Sequence, residues 1–492
     1  RRPERRFALF RKKLPDLQVA VARRQRQISP FANMVLDTVP PGVVPHSVVE
    51  LCKRLERAGF RAWAVGGGLR DLLMQRAPKD WDLATSATPQ QVMKVFPRVI
   101  PTGIAHGTVT VLLGKESFEL TTLRGEGAYS DARRPDSVYF IDDIEQDLAR
   151  RDFTVNALAY DPLADKLIDP FGGVRDMQAR VLRTVGTAAD RFGEDGLRVL
   201  RAARFVATLD FELEAETERA ISGSLASFER VSPERVREEW LRTLSAERPS
   251  LGFEVMRRTG ILGVTYPELV EQHGCAQNRY HAYDVWTHSL HCMDACSRGP
   301  VHRLAGLLHD LGKPRTRELS EKTQDYTFYN HEQVGAGMAE VWLRRYRFSN
   351  DQCERVVHLV RNHLVCYTDE WSDGAVRRFV RRVGTGNIDD LLELARADAL
   401  GKGRPVEDEL GALERLRERI ARAAEQGAAL GVRDLVIDGG DVMRRLACSP
   451  GPIIGRVLEA LLQRVLDAPE LNERETLLGL VDELGKQEPV QA

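Results

Sequence analysis

Strand-like and helix-like periodicities occupy different stretches of this chain, and that separation limits its fold more than any other feature. Between Arg61 and about residue 165, short apolar runs alternate with helical stretches: Ala62–Val65, Thr108–Leu113 and Phe118–Leu123 read as strands. Beyond about residue 180 the strand signals stop, and helical periodicity with starts such as Ser232-Pro233-Glu234 runs almost to the C-terminus. The pattern predicts an α+β chain whose sheet is confined to its N-terminal part. At 492 residues, about three domains are expected. Val39-Pro40-Pro41-Gly42 interrupts regular structure ahead of a helix near 46–58, and nine of the eleven histidines lie between 273 and 363, which marks a separate helical domain there.

A composition of 43% hydrophobic and 29% charged residues is that of a soluble globular chain and excludes collagen-like repetition and wholesale disorder. No apolar run is long enough to span a membrane, and no export signal opens the chain, so no membrane partner is expected. Seven cysteines without CxxC spacing suggest reduced thiols and a cytoplasmic location. A first residue of Arg1 rather than Met suggests that the natural start lies upstream. The net charge of -1 hides a basic arm: residues 1–30 carry ten Lys/Arg against Glu4 and Asp16, enough to touch phosphates or simply to stay solvated.

Asp80-Trp81-Asp82 reads as a short strand, whose period of two would put both carboxylates on one face with Trp81 turned inward. Twelve residues before Asp80, Gly66-Gly67-Gly68 closes the Ala62–Val65 strand and opens a helix through Leu69-Arg70-Asp71. Bare amides of Gly67 and Gly68, with the Arg70 fork, can meet a triphosphate there. Glu119 sits on a following strand as a third acid. Two Mg²⁺ ions about 4 Å apart, held by such carboxylates, suit phosphoryl chemistry, and hard oxygen ligands favour magnesium over zinc.

Strand, glycine turn, helix and Asp-x-Asp in this order resemble the nucleotidyltransferase fold of the DNA polymerase β superfamily. Arg150-Arg151-Asp152-Phe153-Thr154-Val155-Asn156-Ala157 and Glu194-Asp195-Gly196-Leu197-Arg198-Val199-Leu200-Arg201-Ala202-Ala203-Arg204-Phe205 resemble motifs of the class II tRNA nucleotidyltransferases, the CCA-adding enzymes of the poly(A) polymerase family. The likeness covers residues 55–270 closely and the helical remainder more loosely, through an HD domain that some bacterial members carry. It implies a mixed-sheet head followed by an all-α neck, body and HD domain. The expected boundaries are a basic extension 1–45, head 46–165, neck and body 166–270, HD domain 271–400 and helical tail 401–492.

Read as i and i+3 on one helix, Asp195 and Arg198 share a face and present an acceptor beside a donor fork. Cytosine and adenine both offer a ring-nitrogen acceptor beside an exocyclic amine, so this pair would accept C and A without a template. An ordinary surface ion pair is the alternative. By resemblance, Arg201, Arg204 and Arg151 help bind the nucleotide and Asp152 touches the ribose. The substrates implied are CTP, ATP and the tRNA 3' end. Gly125–Asp136 resembles the family's flexible loop, which fits addition of CCA or of A alone. Residues 101–111 look like the CCA-adding rather than the poly(A) polymerase version of that segment, and poly(A) polymerase is the nearest alternative.

Leu307-Leu308-His309-Asp310-Leu311-Gly312-Lys313 resembles the signature of HD phosphohydrolases. His288 before it, with His331, His363 and Asp398 after it, gives the order and number expected of a one- or two-metal HD site. Such ligands suit Mn, Ni, Fe or Co as well as Mg. Lys313 reads as a phosphate contact, and His291, His302 and His358 as ordinary helix residues. A filled site would hydrolyse phosphomonoesters or 2',3'-cyclic phosphates at damaged tRNA ends. The competing class is an HD phosphohydrolase with an RNA-binding head. In the tail, Asp438-Gly439-Gly440-Asp441 and Pro450–Gly455 precede a helix expected over Arg456–Val465, either as a phosphate contact or as a plain cap.

Overall fold

The computed structural model describes residues 35–104, 107–126, 138–297, 299–425 and 430–487. The basic arm and most of the Gly125–Asp136 segment lie outside the described residues. Two compact units account for the chain, one built on residues up to Val270, the other from Glu271 onward apart from Arg344–Phe348. No helix among the described residues is long and apolar enough to cross a membrane.

The first unit opens on the helix His46–Arg57, then a sheet of β1 (Ala62–Val65), β2 (Asp82–Thr85), β3 (Val99–Gly103), β4 (Thr108–Leu113) and β5 (Glu116–Thr122). A separate ribbon of β6 (Arg124–Glu126) and β7 (Val138–Phe140) follows, then β8 (Ala159–Asp161) and β9 (Lys166–Ile168). The main sheet runs β3-β4-β5-β2-β1-β8-β9. All four residues of β1 are buried, as expected of a central strand covered on both faces, and Trp63 packs with Ala84, Leu123 and Leu148. β2 pairs antiparallel with β1 and parallel with β5, and the crossover between β2 and β5 carries the helix Pro89–Val95, started by a Thr88/Gln91 capping box. The parallel register puts Asp82 directly beside Glu119.

The Asp80–Asp82 segment differs from the expected strand. β2 begins only at Asp82, Asp80 and Trp81 lie outside it, and Trp81 is half-buried rather than turned into the core. The cause is a close approach. The Asp80 carbonyl oxygen packs so tightly on Gly68 that a Cβ there would meet it at 2.5 Å, which draws the chain away from strand geometry.

After the head, the helices Ala188–Glu194 and Leu197–Leu209 are followed by Pro233–Leu244 and Pro249–Arg258, which pack on the second of them. Val199, Leu200, Ala203, Val206 and Ala207 are buried along Leu197–Leu209, while Arg198, Arg201 and Arg204 recur at i, i+3 and i+6 on another stripe. Strand structure does not stop near 180. Val181–Leu182 pairs with Glu212–Leu213, and a hairpin Arg317–Ser320/Asp325–Phe328 lies in the second unit. These strands are short, and most hairpin residues are exposed or half-buried, so they lack the apolar alternation that a sequence reading detects.

The second unit is otherwise helical, with Val285–Ala295, Pro300–Leu308, Asn350–Asn362 and Ile388–Gly401 at its centre. A C-terminal core of Val442, Leu461, Val465, Leu477 and Val481 follows. The tail helix runs Pro452–Asp467, longer at both ends than the expected Arg456–Val465, because Pro452 starts it at the first helical position. Asp438 and Asp441 form a capping box, and Asp441 pairs with Arg444 and Arg474: a helix cap rather than an open phosphate seat.

Candidate active site

All twelve head and neck residues singled out from the sequence line one cavity of about 1240 Å³. On its floor, Asp82 and Glu119 stand side by side at the start of β2 and within β5, with Asp80 just ahead of them. Desolvation by the surrounding protein, then the Glu119 charge, pushes the Asp82 carboxyl up against the pull of Arg151. Three carboxylates gathered here, with Asp82 raised by burial and its acidic neighbours and only oxygen donors on offer, form a seat for a hard divalent cation, so the residues present fit Mg²⁺.

The glycine turn stands beside this floor. The helix Gly66–Leu73 begins immediately after β1, and Arg70 donates from Nη1 to Asn156 Oδ1 at 2.7 Å and from Nε to Asp71 Oδ1 at 2.9 Å. Asn156 in turn donates to Asp152 Oδ1 at 3.2 Å. Asp152 also takes a 2.8 Å hydrogen bond from Arg201 Nε. Burial alone would raise the Asp152 carboxyl, but the Arg201 charge and these hydrogen bonds bring it down to about 2. Arg151 donates to the Asn156 carbonyl at 3.3 Å and approaches Asp147 at 3.5 Å. Arg204 is held by buried Glu239 at 2.6 Å and lies over the Phe205 ring at 4.0 Å.

Asp195 and Arg198 both face the cavity, yet not as a pair on one helix. Asp195 terminates the helix Ala188–Glu194 in extended conformation, and the next helix starts only at Leu197, after Gly196. Asp195 Oδ1 accepts from the Leu197 amide at 3.0 Å, and Oδ2 accepts from Arg235 at 2.7 Å. Arg198 is aimed by the carbonyls of Arg191 at 3.1 Å and Arg150 at 3.0 Å, and by Glu194. Asp195 is extended and its side chain closes a local turn onto the Leu197 amide, so the helix that follows starts from Gly196 and does not include it. Among the described residues, eleven Arg/Lys side chains line the cavity against six carboxylates, which favours a polyanion. Arg235 and Glu239 have no spacing signal in the sequence and act through tertiary contact, whereas Asp147 holds Arg150 and Arg151 at i+3 and i+4.

The second unit brings together His288, His309, Asp310, His331, His363 and Asp398, all but half-exposed Asp398 buried. His288 Nε2 lies 3.0 Å from His309 Nε2, 3.1 Å from Asp398 Oδ1 and 3.4 Å from Asp310 Oδ2. His331 Nε2 lies 3.3 Å from His363 Nε2 and 3.4 Å from Asp310 Oδ1. Asp310 thus turns one oxygen toward each histidine pair. Gly312 makes this possible, since a Cβ there would meet the His331 carbonyl at 2.2 Å. His309, His331 and His363 each anchor Nδ1 on the carbonyl three residues back, at 3.0, 2.7 and 2.8 Å, so their Nε2 lone pairs converge. Converging imidazole lone pairs around a shared carboxylate fit a divalent transition metal. Burial would raise Asp310, but His309 and Lys313 hold it well below the usual carboxylate range, and Lys313 Nζ stands 2.7 Å from Oδ2. His302 instead pairs with Asp390, at 3.0 Å. His281, unremarked in the sequence, also faces this cluster.

Family models agree with both units. That of the poly(A) polymerase head domain matches residues 62–183, that of the probable RNA and SrmB-binding site of polymerase A residues 210–272, and that of the HD domain residues 285–401. The CCA-adding enzyme of Streptococcus gordonii is 31% identical over 450 residues, 92% of this chain and 100% of the relative. That of Lactobacillus johnsonii is 45% identical over 215 residues, 44% of this chain and 54% of the relative, so the match spans about half that protein's length. Among solved structures, the Bacillus stearothermophilus CCA-adding enzyme in complex with CTP superposes with a TM-score of 0.66 at 27% identity, covering 89% of this chain and 97% of that one. On the head, the HD domain and a full-length relative at this identity, the chain belongs to the CCA-adding enzyme family.

Proposed function

We propose that the protein adds C and A nucleotides from CTP and ATP to the 3' end of tRNA without a nucleic-acid template. The observation that carries this reading is one cavity in which Asp82 and Glu119 on the neighbouring central strands β2 and β5, with Asp80 just before β2, share the lining with many arginines, with Asp195 and with Arg198. Asp80, Asp82 and Glu119 would hold Mg²⁺, which neutralises charge at the reacting phosphate and the pyrophosphate leaving group. The protein's own groups position the reactants. Arg70, Arg151, Arg201 and Arg204 offer donors to the triphosphate, and Asp152 orients Arg201 and would accept from a ribose hydroxyl. Arg198 and Asp195 offer a donor and an acceptor to the Watson–Crick edge of C or A. Because both are already held by neighbours, a U or G edge leaves buried polar groups unmatched, which sites of this type reject by about 10⁴. The test uses tRNA ending at the discriminator base with labelled CTP or ATP. Asp82→Ala should abolish incorporation of both nucleotides, and an Asp82→Ala enzyme with normal turnover would remove the site.

The histidine cluster supports a second activity, hydrolysis of phosphomonoesters or 2',3'-cyclic phosphates at damaged tRNA ends. A divalent transition metal would supply an activated water. The chain's residues would hold that ion through His288, His309, Asp310, His331, His363 and Asp398, and Lys313 would bind the phosphate. His309→Ala should lose metal-dependent phosphatase activity while incorporation continues, and unchanged phosphatase activity would refute this part.

A further inference from the structure

His281 shares an arrangement with three members of the cluster. His309, His331 and His363 each fix Nδ1 on an oxygen of the residue three positions back, leaving Nε2 bare toward Asp310. His281 does the same with a side chain in place of a carbonyl: its Nδ1 lies 2.9 Å from Asn278 Oδ1. That oxygen also receives the Tyr280 backbone N–H at 3.3 Å. It is therefore the acceptor, Nδ1 carries the proton, and Nε2 keeps its lone pair. The ring stands edge-to-face on His288 with centroids 5.0 Å apart, and one ligand atom each of His281, His288 and Asp398 lie within 4.8 Å of one another. The loop that carries it is tied down, by Ala282 N–H to the Lys402 carbonyl at 2.9 Å and by Gln277 Nε2 to the Tyr283 carbonyl at 3.3 Å.

A histidine packed only for its ring has no need of an oriented, unprotonated nitrogen in a group with His288 and Asp398. We propose that His281 is a further ligand of the ion held at His288 and Asp398, next to His309, and that Asn278 is its positioning residue. This rests on the metal-binding reading of the cluster. It extends the ligand set onto the loop before the first helix of the domain, with Mn²⁺ or Co²⁺ as suitable ions for imidazole and carboxylate donors.

The test is metal binding by the full-length protein, with Mn²⁺ followed by calorimetry and Co²⁺ by its visible absorption bands. His281→Ala and His281→Gln should each weaken Mn²⁺ binding about tenfold or more and change the Co²⁺ spectrum, and Asn278→Ala should weaken it by about 10–100-fold through lost orientation. Melting curves without metal identify folded variants. If either folded His281 variant binds Mn²⁺ with wild-type affinity and gives the wild-type Co²⁺ spectrum, His281 is no ligand. The metal-binding reading fails separately: wild-type protein that binds neither ion, or His309→Ala that binds both normally, would remove it and this inference together.

Discussion

Substituting Gly68 by alanine tests how the glycine turn sets the acidic floor. A Cβ at this position would stand 2.5 Å from the Asp80 carbonyl oxygen, 3.6 Å from the Asp80 carbonyl carbon and 3.7 Å from Trp81 Cα. Relief to between 3.0 and 3.4 Å requires the Asp80 backbone to retreat by about 0.5–0.9 Å, since backbone cannot rotate away as a flexible side chain can. Asp82 cannot share the movement, because its register with Val65 and Glu119 pins it. The displacement falls on Asp80 alone and misaligns it with its two acidic partners. Overpacking costs about 1–3 kcal/mol, and the better helix propensity of alanine offsets up to about 1 kcal/mol of that. Misplacement of a reacting group by about 1 Å costs about 10²-fold in rate. Single-turnover incorporation of labelled CTP into tRNA ending at the discriminator base should therefore slow about a hundredfold, with CTP affinity little changed and the melting temperature lowered by no more than about ten degrees. Gly67→Ala is the comparison, since its Cβ meets only Arg70 Nη2 at an ordinary 3.6 Å, and it should slow the reaction far less. Wild-type single-turnover rates in Gly68→Ala would refute the reasoning.

Arg235→Ala removes the charged donor that holds Asp195 Oδ2. With about 1.5–3 kcal/mol attached to such a bond, discrimination against UTP and GTP should fall about 10–100-fold, read as the ratio of kcat/KM between nucleotides. Acid unfolding checks the buried Asp152–Arg201 pair. The Asp152 carboxyl is held at about 2, below its ordinary 3.8. A depressed carboxyl contributes stability that is full above about pH 4 and is lost as pH falls through about 2, an amount of about 2 kcal/mol. Asp152→Asn should remove that contribution from the pH dependence of unfolding, and an unchanged profile would contradict it.

The sheet was legible where burial writes itself into residue type. The wholly buried Ala62-Trp63-Ala64-Val65 and the half-alternating Thr108–Leu113 leave clear patterns, whereas the exposed hairpin around Ser320 and Asp325 leaves none. The acids and arginines of the cavity were also legible, because their chemistry is local to motifs. Their supports were not. Arg235 reaches Asp195 across 40 positions, and Arg70 reaches Asn156 across 86. Backbone detail was hidden for a similar reason. A contact between Gly68 and Asp80 bends the Asp-x-Asp segment, and the extended Asp195 with Gly196 after it separates two helices that periodicity alone joins. His281 stayed hidden because its meaning depends on a loop folded against His288.

The most direct test of nucleotide addition by this cavity is the sequence of the product made when tRNA ending at its discriminator base meets all four triphosphates and Mg²⁺ together. Growth by C and A only is expected, halting once the end is complete. A run of adenylates, incorporation of U or G at comparable rates, or no extension of any tRNA end would contradict it.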